Sequence, residues 1–481
     1  MSALKKLLRM ACCFLLCFLA LTGWAQSARK LSQVKTLYVE SLGNGGEAKT
    51  VRDDLIHRLR KASTVRIVSA PGEADAILSG TARIWSIGYI SLNPRSRNDL
   101  QAVLEGYLSA EIVGRNHSTL WSYLVTPSHF PWGGVPDDLA RQLSARLLAA
   151  IRNGGEAEPS SSDLPEGAPV ALKGAGASFP APLYQKWFEA FRQEHPAVNV
   201  SYQSVGSTEG WAELRAGRID FGASDFTAQG QPSPNKAFLQ LPMVLGAVVP
   251  IYNLKGLHRR LNFPPAVLAG IYLGEIKNWH DAEIRKANPG ANLPDAEIAV
   301  IHRSDGSGTT FVWSDYLSKV SPQWKLRAGN GETVAWPVGT AAERNDGVAS
   351  AVERTPNAIG YVEFIYAIQH QLSYGAVQNA EGEFVKADIA SVMAAARASA
   401  APDEDLRASI TNPPGRDSYP ISTYTWLLLP QRIDDKNKQA ALVELTRWML
   451  TTGQRSCSSM GFAPLPADVV KRALQIVESQ N

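Results

Sequence analysis

The spacing of hydrophobic and polar residues divides the chain into two parts. From residue 34 to residue 153, alternating segments typical of strands are mixed with helical spacing, which predicts a small α+β domain. From about residue 169, apolar runs alternate with amphipathic helices, which predicts an α/β fold. In the first part, the predicted strands cover residues 36–39, 64–68, 74–84, 102–113 and 118–125, and the predicted helices cover residues 49–61 and 137–152.

A polar segment separates these two parts. Residues 154–168 are rich in Gly, Glu, Ser and Pro, a composition typical of a flexible linker. We therefore predict an N-terminal domain over residues 30–153 and a main domain over residues 169–481. Because the two parts have separate hydrophobic patterns, we expect the main domain to fold without the N-terminal one.

Residues 1–25 have the features of a secretory signal. A basic start with Lys5, Lys6 and Arg9 is followed by an apolar stretch over residues 10–21, and Gly23-Trp24-Ala25 places small residues where a signal peptidase requires them. The cysteines of this segment lack a lipoprotein-type lead-in, so we expect a soluble periplasmic protein rather than a lipid-anchored one. Only Cys457 would remain after processing, so an intramolecular disulfide is not expected.

The charge of the chain argues against a nucleic-acid partner, and its hydropathy argues against a further membrane span. The formal net charge of +3 is supplied by the three basic residues of the signal, so the processed chain sums to zero. No basic tract favours nucleic acid, and no further apolar run reaches the length of a membrane span.

One short segment combines groups suited to a tetrahedral oxyanion. An apolar strand is predicted over residues 298–301, shortly before Arg303, and Ser307, Gly308 and Thr309 precede a segment with helical spacing from Phe311. A strand followed by a glycine-rich turn and a helix start directs free backbone N–H groups at an anion, and the Arg303 guanidinium suits two oxyanion oxygens. A turn alone would also explain this sequence.

Asp305 distinguishes between anions. A carboxylate repels a fully ionised anion unless the ligand carries a proton to donate, so Asp305 favours phosphate over sulfate. We expect this residue to read the ligand proton, or otherwise to position Arg303 through an ion pair.

Two further segments have the same strand-to-helix form. Residues 172–182 run through Ser178 and Phe179 into an amphipathic helix. Residues 198–225 form a strand that ends near Ser207, a short helix predicted over residues 209–216 and a second strand that ends at Asp225. Other distinctive stretches are 271–279, 288–290 and 358–363.

Taken in order, these residues resemble the phosphate-binding protein of the bacterial phosphate-specific ABC transporter, from about residue 169 to about residue 477. The resemblance implies a two-lobed α/β periplasmic binding protein fold with a hinge, with lobe one over residues 169–250 and 421–481 and lobe two over residues 251–420. It also implies capture of phosphate by hinge closure and delivery to a membrane permease and ATPase, without a cofactor or metal. The implied phosphate contacts are Ser178, Phe179, Ser207, Asp225, Arg303, Asp305, Ser307, Gly308 and Thr309.

Two positions depart from the family pattern. Ser178 stands where the family usually has Thr, which keeps the hydroxyl. Glu209 stands in a stretch that is usually glycine-rich, and unless its carboxylate points outward it would weaken anion binding.

Two alternatives belong to other functional classes. A phosphatase-type enzyme could use the same oxyanion contacts, but the sequence has no HExxH, GxSxG or P-loop motif. The other alternative is an envelope structural protein that retains a phosphate-binding module. Residues 73–81 weakly resemble envelope lipoproteins of the lipopolysaccharide-assembly and curli-secretion type, which suggests an envelope partner for the N-terminal domain.

Overall fold

The computed structural model describes residues 30–91, 100–128, 134–153, 169–227, 238–257, 259–399 and 406–479. The expected signal over residues 1–25 and the expected linker over residues 154–168 lie outside these ranges.

The first part of the chain forms a five-stranded sheet in the order β2-β1-β3-β4-β5. Strand β1 pairs in parallel with β2 and β3, whereas β3, β4 and β5 are antiparallel, as the alternating pattern predicts. The strands are β1 (Thr36–Val39), β2 (Arg66–Ile67), β3 (Ala76–Ser91), β4 (Leu100–Gly114) and β5 (Thr119–Val125).

Two helices cover one face of this sheet. Helix α1 (Gly46–Ala62) buries Val51, Leu55 and Leu59 at helical spacing and ends at Ser63, whose φ of 54° is left-handed. Helix α2 (Val135–Asn153) buries the leucines at 139, 143 and 147. Both helices contribute to one hydrophobic core together with alternate residues of β4. Short 3₁₀ helices cover Leu31–Gln33 and Pro71–Glu73.

The opposite face of the same sheet does not face solvent throughout. Leu124 of β5 is buried in the hydrophobic core of the main domain, and Tyr107 of β4 packs against that core. The two parts have separate core clusters, and this face of the sheet packs on the main domain, because alternate residues of a strand point to opposite sides of a sheet. Folding of the main domain without the N-terminal one stays a prediction.

The main domain is built on a nine-stranded sheet in the order β12-β11-β13-β9-β17-β8-β6-β7, and β14 also pairs with β9. A small sheet has the order β10-β15-β16. The strands are β6 (Val170–Gly176), β7 (Val198–Ser204), β8 (Phe221–Ser224), β9 (Phe238–Tyr252), β10 (Asn262–Phe263), β11 (Ala299–Arg303), β12 (Thr340–Ala342), β13 (Ala358–Glu363), β14 (Ser373–Tyr374), β15 (Ala376–Gln378), β16 (Phe384–Val385) and β17 (Ser422–Pro430).

Helices pack on this sheet around a core rich in aromatic side chains, among them the fully buried Trp187, Trp313 and Trp426. The helices are α3 (Ala181–Glu194), α4 (Ser207–Arg215), α5 (Pro265–Tyr272), α6 (Ala282–Ala287), α7 (Gly308–Val320), α8 (Pro322–Arg327), α9 (Arg344–Arg354), α10 (Phe364–Gln369), α11 (Ile389–Ala398), α12 (Lys436–Leu450), α13 (Gln454–Cys457) and α14 (Ala467–Glu478), and a 3₁₀ helix covers Ser458–Met460.

Strand β9 connects the two lobes. Its residues up to Ala247 pair with β17, beside the lobe-one strands β6, β7 and β8, whereas its residues from Val248 pair with β13, beside the lobe-two strands β11 and β12. The strand is buried continuously from Leu241 to Tyr252, as expected for a strand that is covered on both faces. The second connection lies next to Ile421, whose carbonyl oxygen accepts from the backbone N–H of Val248 at 2.9 Å.

Candidate anion-binding site

Three helices of the main domain begin at the junction of the lobes: α3 after Ser178 and Phe179, α4 at Ser207 and α7 at Gly308. Two of them start earlier than the hydrophobic spacing predicts, at Ser207 instead of Glu209 and at Gly308 instead of Phe311. The first turn of a helix has backbone N–H groups without a partner inside the helix, so the earlier starts place Ser207, Gly308 and Thr309 among such donors. The Gly308 N–H donates to the Ser207 hydroxyl in this structure.

The Ser307 side chain explains why α7 begins where it does. Its Oγ accepts a hydrogen bond from the backbone N–H of Thr310 at 3.1 Å, which is a helix N-cap. Because a hydroxyl can accept and donate at once, the Ser307 hydroxyl proton stays available for an anion.

The lobes touch at this junction. Ser207 Oγ, in lobe one, accepts from the Gly308 N–H at 3.2 Å and from the Asp225 N–H at 3.3 Å. A Cβ on Gly308 would lie 2.5 Å from Asp225 Cβ, so only glycine allows this approach. Gly206, with φ of 98°, likewise leaves room for Asp305, whose Oδ2 would be 2.8 Å from a Cβ there.

Arg303 forms a bidentate ion pair with Asp305. The guanidinium group is 1% exposed; its Nε donates to Asp305 Oδ1 at 2.7 Å and its Nη2 donates to Asp305 Oδ2. Burial opposes ionisation of Asp305, but the hydrogen bonds and charge of Arg303 outweigh it and lower the pKa of the carboxyl. Arg344 also donates its backbone N–H to Asp305 Oδ1 at 3.0 Å. Of the two roles expected for Asp305, this geometry favours positioning Arg303.

Asp225 has a buried carboxyl oxygen that accepts no hydrogen bond from the described residues. It is 2% exposed, and its Oδ1 has no hydrogen-bond partner among the described residues. Burial raises the pKa of Asp225 to about 7, against the opposing effects of Thr425, Arg303 and Ser207. A buried acceptor without a partner is costly, which marks this oxygen as a candidate ligand contact.

Ser178 and Phe179 complete the lobe-one side. Ser178 Oγ accepts from Asn345 Nδ2 at 3.0 Å, and the Ser178 carbonyl oxygen accepts from the Tyr366 hydroxyl at 2.6 Å. The Phe179 ring is fully buried with its ring centre 6.1 Å from that of Phe462, which fixes the direction of the Phe179 backbone.

Glu209 does not face the site. Its side chain is exposed in the first turn of α4, where an acid complements the helix dipole. This departure from the family pattern therefore does not place a second negative charge against an anion.

The sequence interpretation missed Asn345, which links Ser178 of lobe one to Thr309 of lobe two. Its Nδ2 also donates to Thr309 Oγ1 at 3.1 Å, and its Oδ1 accepts from the Glu363 backbone N–H at 2.9 Å. Asn345 is the second residue of α9, which begins shortly after β12. The same strand-to-helix criterion could have found it, but Asn345-Asp346-Gly347 also fits an ordinary turn.

Comparison with known proteins supports a family assignment. Residues 164–449 match the family model described as a PBP superfamily domain. The chain is 40% identical over 305 residues to the phosphate-binding protein PstS of Xylella fastidiosa, which covers 63% of this chain and 84% of that protein. It is 35% identical over 368 residues to the phosphate-binding protein PstS of Methanocaldococcus jannaschii, with 69% and 91% coverage. The chain belongs to the PstS family of the PBP superfamily.

The solved structures agree on the fold. A high-affinity periplasmic phosphate-binding protein, solved with bound phosphate, has a TM-score of 0.50 at 20% identity and covers 63% of this chain and 92% of its own. The predicted two-lobed periplasmic binding protein fold of the PstS family is thus confirmed. The family match begins at residue 164, so it gives no support to an envelope partner for the N-terminal domain. Within the described ranges, no helix is both long and apolar enough to cross a membrane.

Proposed function

We propose that the chain binds inorganic phosphate between its two lobes in the periplasm and delivers it to the permease of an ABC transporter that a cytoplasmic ATPase drives. The observation that carries the proposal is the unpartnered Oδ1 of Asp225, buried beside Ser207 and the start of α7. Membership of the PstS family supports the same ligand class, since the relatives are named phosphate-binding proteins.

Each site residue has one role in this proposal. Asp225 accepts a hydrogen bond from the O–H group of the ligand, and Asp305 holds Arg303 in place. The donors to the ligand oxygens are the hydroxyls of Ser178, Ser207, Ser307 and Thr309, the backbone N–H groups of Phe179 and Gly308, and the guanidinium of Arg303. The Arg303–Asp305 pair is close to neutral, so affinity comes mainly from many short hydrogen bonds.

In the proposed transport cycle, the two lobes open and close by hinge motion about β9. The limits proposed for lobe one, residues 169–250 and 421–481, and for lobe two, residues 251–420, place the joint next to Ala247 and Val248 of β9. Closure of the lobes removes water from the ligand, which strengthens each hydrogen bond. The proposed function is binding and delivery, without a chemical step.

Calorimetric titration of phosphate and sulfate tests the proposal. A carboxylate at Asp225 accepts a hydrogen bond from the O–H group of phosphate and repels sulfate, and such a site is expected to reject the analogue without the proton by about 10⁴-fold. In Asp225→Asn, which offers an N–H, sulfate should bind much better while phosphate binds less tightly. Asp137→Asn, at an exposed ion pair of the N-terminal domain, is the matched control. Failure of the wild-type protein to bind phosphate, or an unchanged selectivity in Asp225→Asn, would contradict the proposal.

A further inference from the structure

The face of the N-terminal sheet that helices α1 and α2 do not cover contacts both lobes of the main domain. On β4, Leu108, Ala110 and Ile112 point into the core of the N-terminal domain. The alternate residues point the other way, toward the main domain. We call this face the brace surface, and it comprises Glu105, Ser109, Glu111, Ser122 and Thr126.

One end of the brace surface holds lobe one. Glu111 forms an ion pair with Lys186 of α3 and accepts a hydrogen bond from the Ser459 hydroxyl. The Ser109 hydroxyl donates to the Ser459 carbonyl oxygen at 2.9 Å, and the Ser459 N–H donates to Ser122 Oγ at 3.2 Å. These contacts tie β4 and β5 to the 3₁₀ helix that follows α13.

The other end holds lobe two. Lys386 donates to Thr126 Oγ1 at 2.7 Å and to the Pro127 carbonyl oxygen at 3.1 Å. The buried carboxyl of Glu105 lies 3.8 Å from the Arg260 guanidinium, which in turn lies 4.7 Å from the centre of the Tyr374 ring. Tyr374 belongs to β14, which pairs with the lobe-two end of β9.

The two attachments lie on one stiff element. Six residues of extended strand separate Glu105 from Glu111, a distance of about 20 Å. Strand β4 is hydrogen-bonded on both sides, to β3 and to β5, so it cannot bend easily. The sheet therefore spans the junction that β9 also crosses, and rotation of one lobe against the other must break one attachment.

We propose that the N-terminal domain is a brace that favours the closed arrangement of the lobes and slows release of the ligand. Both attachments are complete in the same arrangement in which Ser207 of lobe one contacts Gly308 of lobe two. A contact made only in one of two conformations shifts the equilibrium toward it. The proposal rests on phosphate binding at the lobe junction for its kinetic consequence, but not for its effect on lobe geometry.

Charge reversal in the full-length protein tests the brace. Glu111→Lys places two cations together at the lobe-one attachment, whereas Glu111→Lys combined with Lys186→Glu restores an opposite pair. Neither residue contacts the proposed phosphate site. We expect phosphate release, measured by stopped-flow with a phosphate sensor, to be about tenfold faster in Glu111→Lys and near the wild-type rate in the swapped pair. Asp137→Lys, which breaks the exposed pair with Arg58 inside the N-terminal domain, is the matched control and should change nothing.

Small-angle scattering without phosphate gives an independent measure. The radius of gyration should be larger in Glu111→Lys than in the wild-type protein, and the swapped pair should reverse the increase. If Glu111→Lys does not fold, Lys386→Met releases the other attachment and should show the same two changes. Wild-type binding of phosphate, together with unchanged release rates and unchanged scattering in both variants, would overturn the brace and leave the proposed function intact. Absence of phosphate binding by the wild-type protein would instead remove the proposed function, and the scattering comparison would still decide whether the brace exists.

Discussion

The lobe junction and the contact between the N-terminal domain and lobe two both bury charged side chains between separate parts of the chain. At the lobe junction, Arg303 is satisfied by Asp305, and the carboxyl of Asp225 is left with a free oxygen among helix N-termini. At the other contact, the Lys386 ammonium group donates hydrogen bonds to oxygens of Thr126 and Pro127. The first arrangement presents unmet hydrogen-bonding capacity to a ligand, whereas in the second the lysine is already bound by the chain itself.

The two clusters should also respond to pH in opposite ways. Burial raises the pKa of Asp225 to about 7 and lowers the pKa of Lys386 to about 8. Each shift disfavours the charged form in the folded protein. The cost of burying charge therefore increases with rising pH at Asp225 and decreases with rising pH at Lys386, which makes the comparison measurable.

The largest effect is expected from breaking the Arg303–Asp305 pair. Arg303→Met removes the fixed cation of the site, and phosphate affinity should fall at least about 1,000-fold, or about 4 kcal/mol. It also leaves the half-buried Asp305 without its partner, which should lower the free energy of unfolding by about 1–3 kcal/mol. Chemical denaturation and calorimetric titration measure the two losses.

A double variant separates the two losses. Arg303→Met with Asp305→Asn removes the unpaired carboxylate, so much of the stability should return while phosphate binding stays absent. Recovery of binding in the double variant would mean that Arg303 acts only as a structural partner of Asp305.

The next effect concerns stability and Asp225. Its pKa rises from an ordinary value of 3.8 to about 7 on folding, so the folded state holds the proton more tightly. This contribution to stability is complete below pH 4 and is lost as the pH rises to about 7. The upper value of the loss is about 4 kcal/mol.

Asp225→Asn has no such proton, so it should be more stable than the wild-type protein at pH 8 and should differ less from it at pH 4. Thermal unfolding at both pH values, without phosphate, measures the difference. Equal differences at the two pH values would show that Asp225 is ionised as easily in the folded protein as in the unfolded chain.

The sequence predicted the alternation that forms the fold better than it predicted the contacts that complete the site. The strand that ends at Arg303 follows from its apolar run, because a run of buried residues needs no long-range information. The strand before Ser207 instead alternates between exposed and less exposed residues. The early starts of α4 and α7 depend on Ser207 and Ser307 in their tertiary setting, which periodicity does not contain. Asn345 also follows a strand and begins a helix, but its contacts with Ser178 and Thr309 depend on the packing of the two lobes.

The N-terminal domain shows the same limit on a larger scale. Its strands and both helices were predicted near their observed positions, because each has a regular apolar pattern. The second buried face of β4 was not predicted, because Glu105 and Glu111 look like solvent-facing residues in an alternating strand. Their burial depends on Arg260 and Lys186, which lie far away in the chain.

The smallest predicted effect tests the other cluster. Burial lowers the pKa of Lys386 from 10.5 to about 8, with Arg260 adding to the shift and Asp388, Asp138 and Glu105 opposing it. The unfolded chain therefore holds the lysine proton more tightly, and this group makes the protein more stable as the pH rises from 8 to 10.5. The gain in the free energy of unfolding should be about 1–3 kcal/mol, which is less than the full pKa shift would give, because opposing charges and water reach the site.

Lys386→Met tests this contribution because it cannot titrate. Relative to the wild-type protein, it should be more stable at pH 7.5 than at pH 10, after allowance for the lost hydrogen bonds to Thr126. Denaturant midpoints of both proteins at the two pH values give the comparison, and Lys49→Met, at an exposed lysine of α1, is the control. If the difference between Lys386→Met and the wild-type protein is the same at both pH values, then Lys386 keeps its ordinary pKa, and the contact with the N-terminal domain does not oppose its charge.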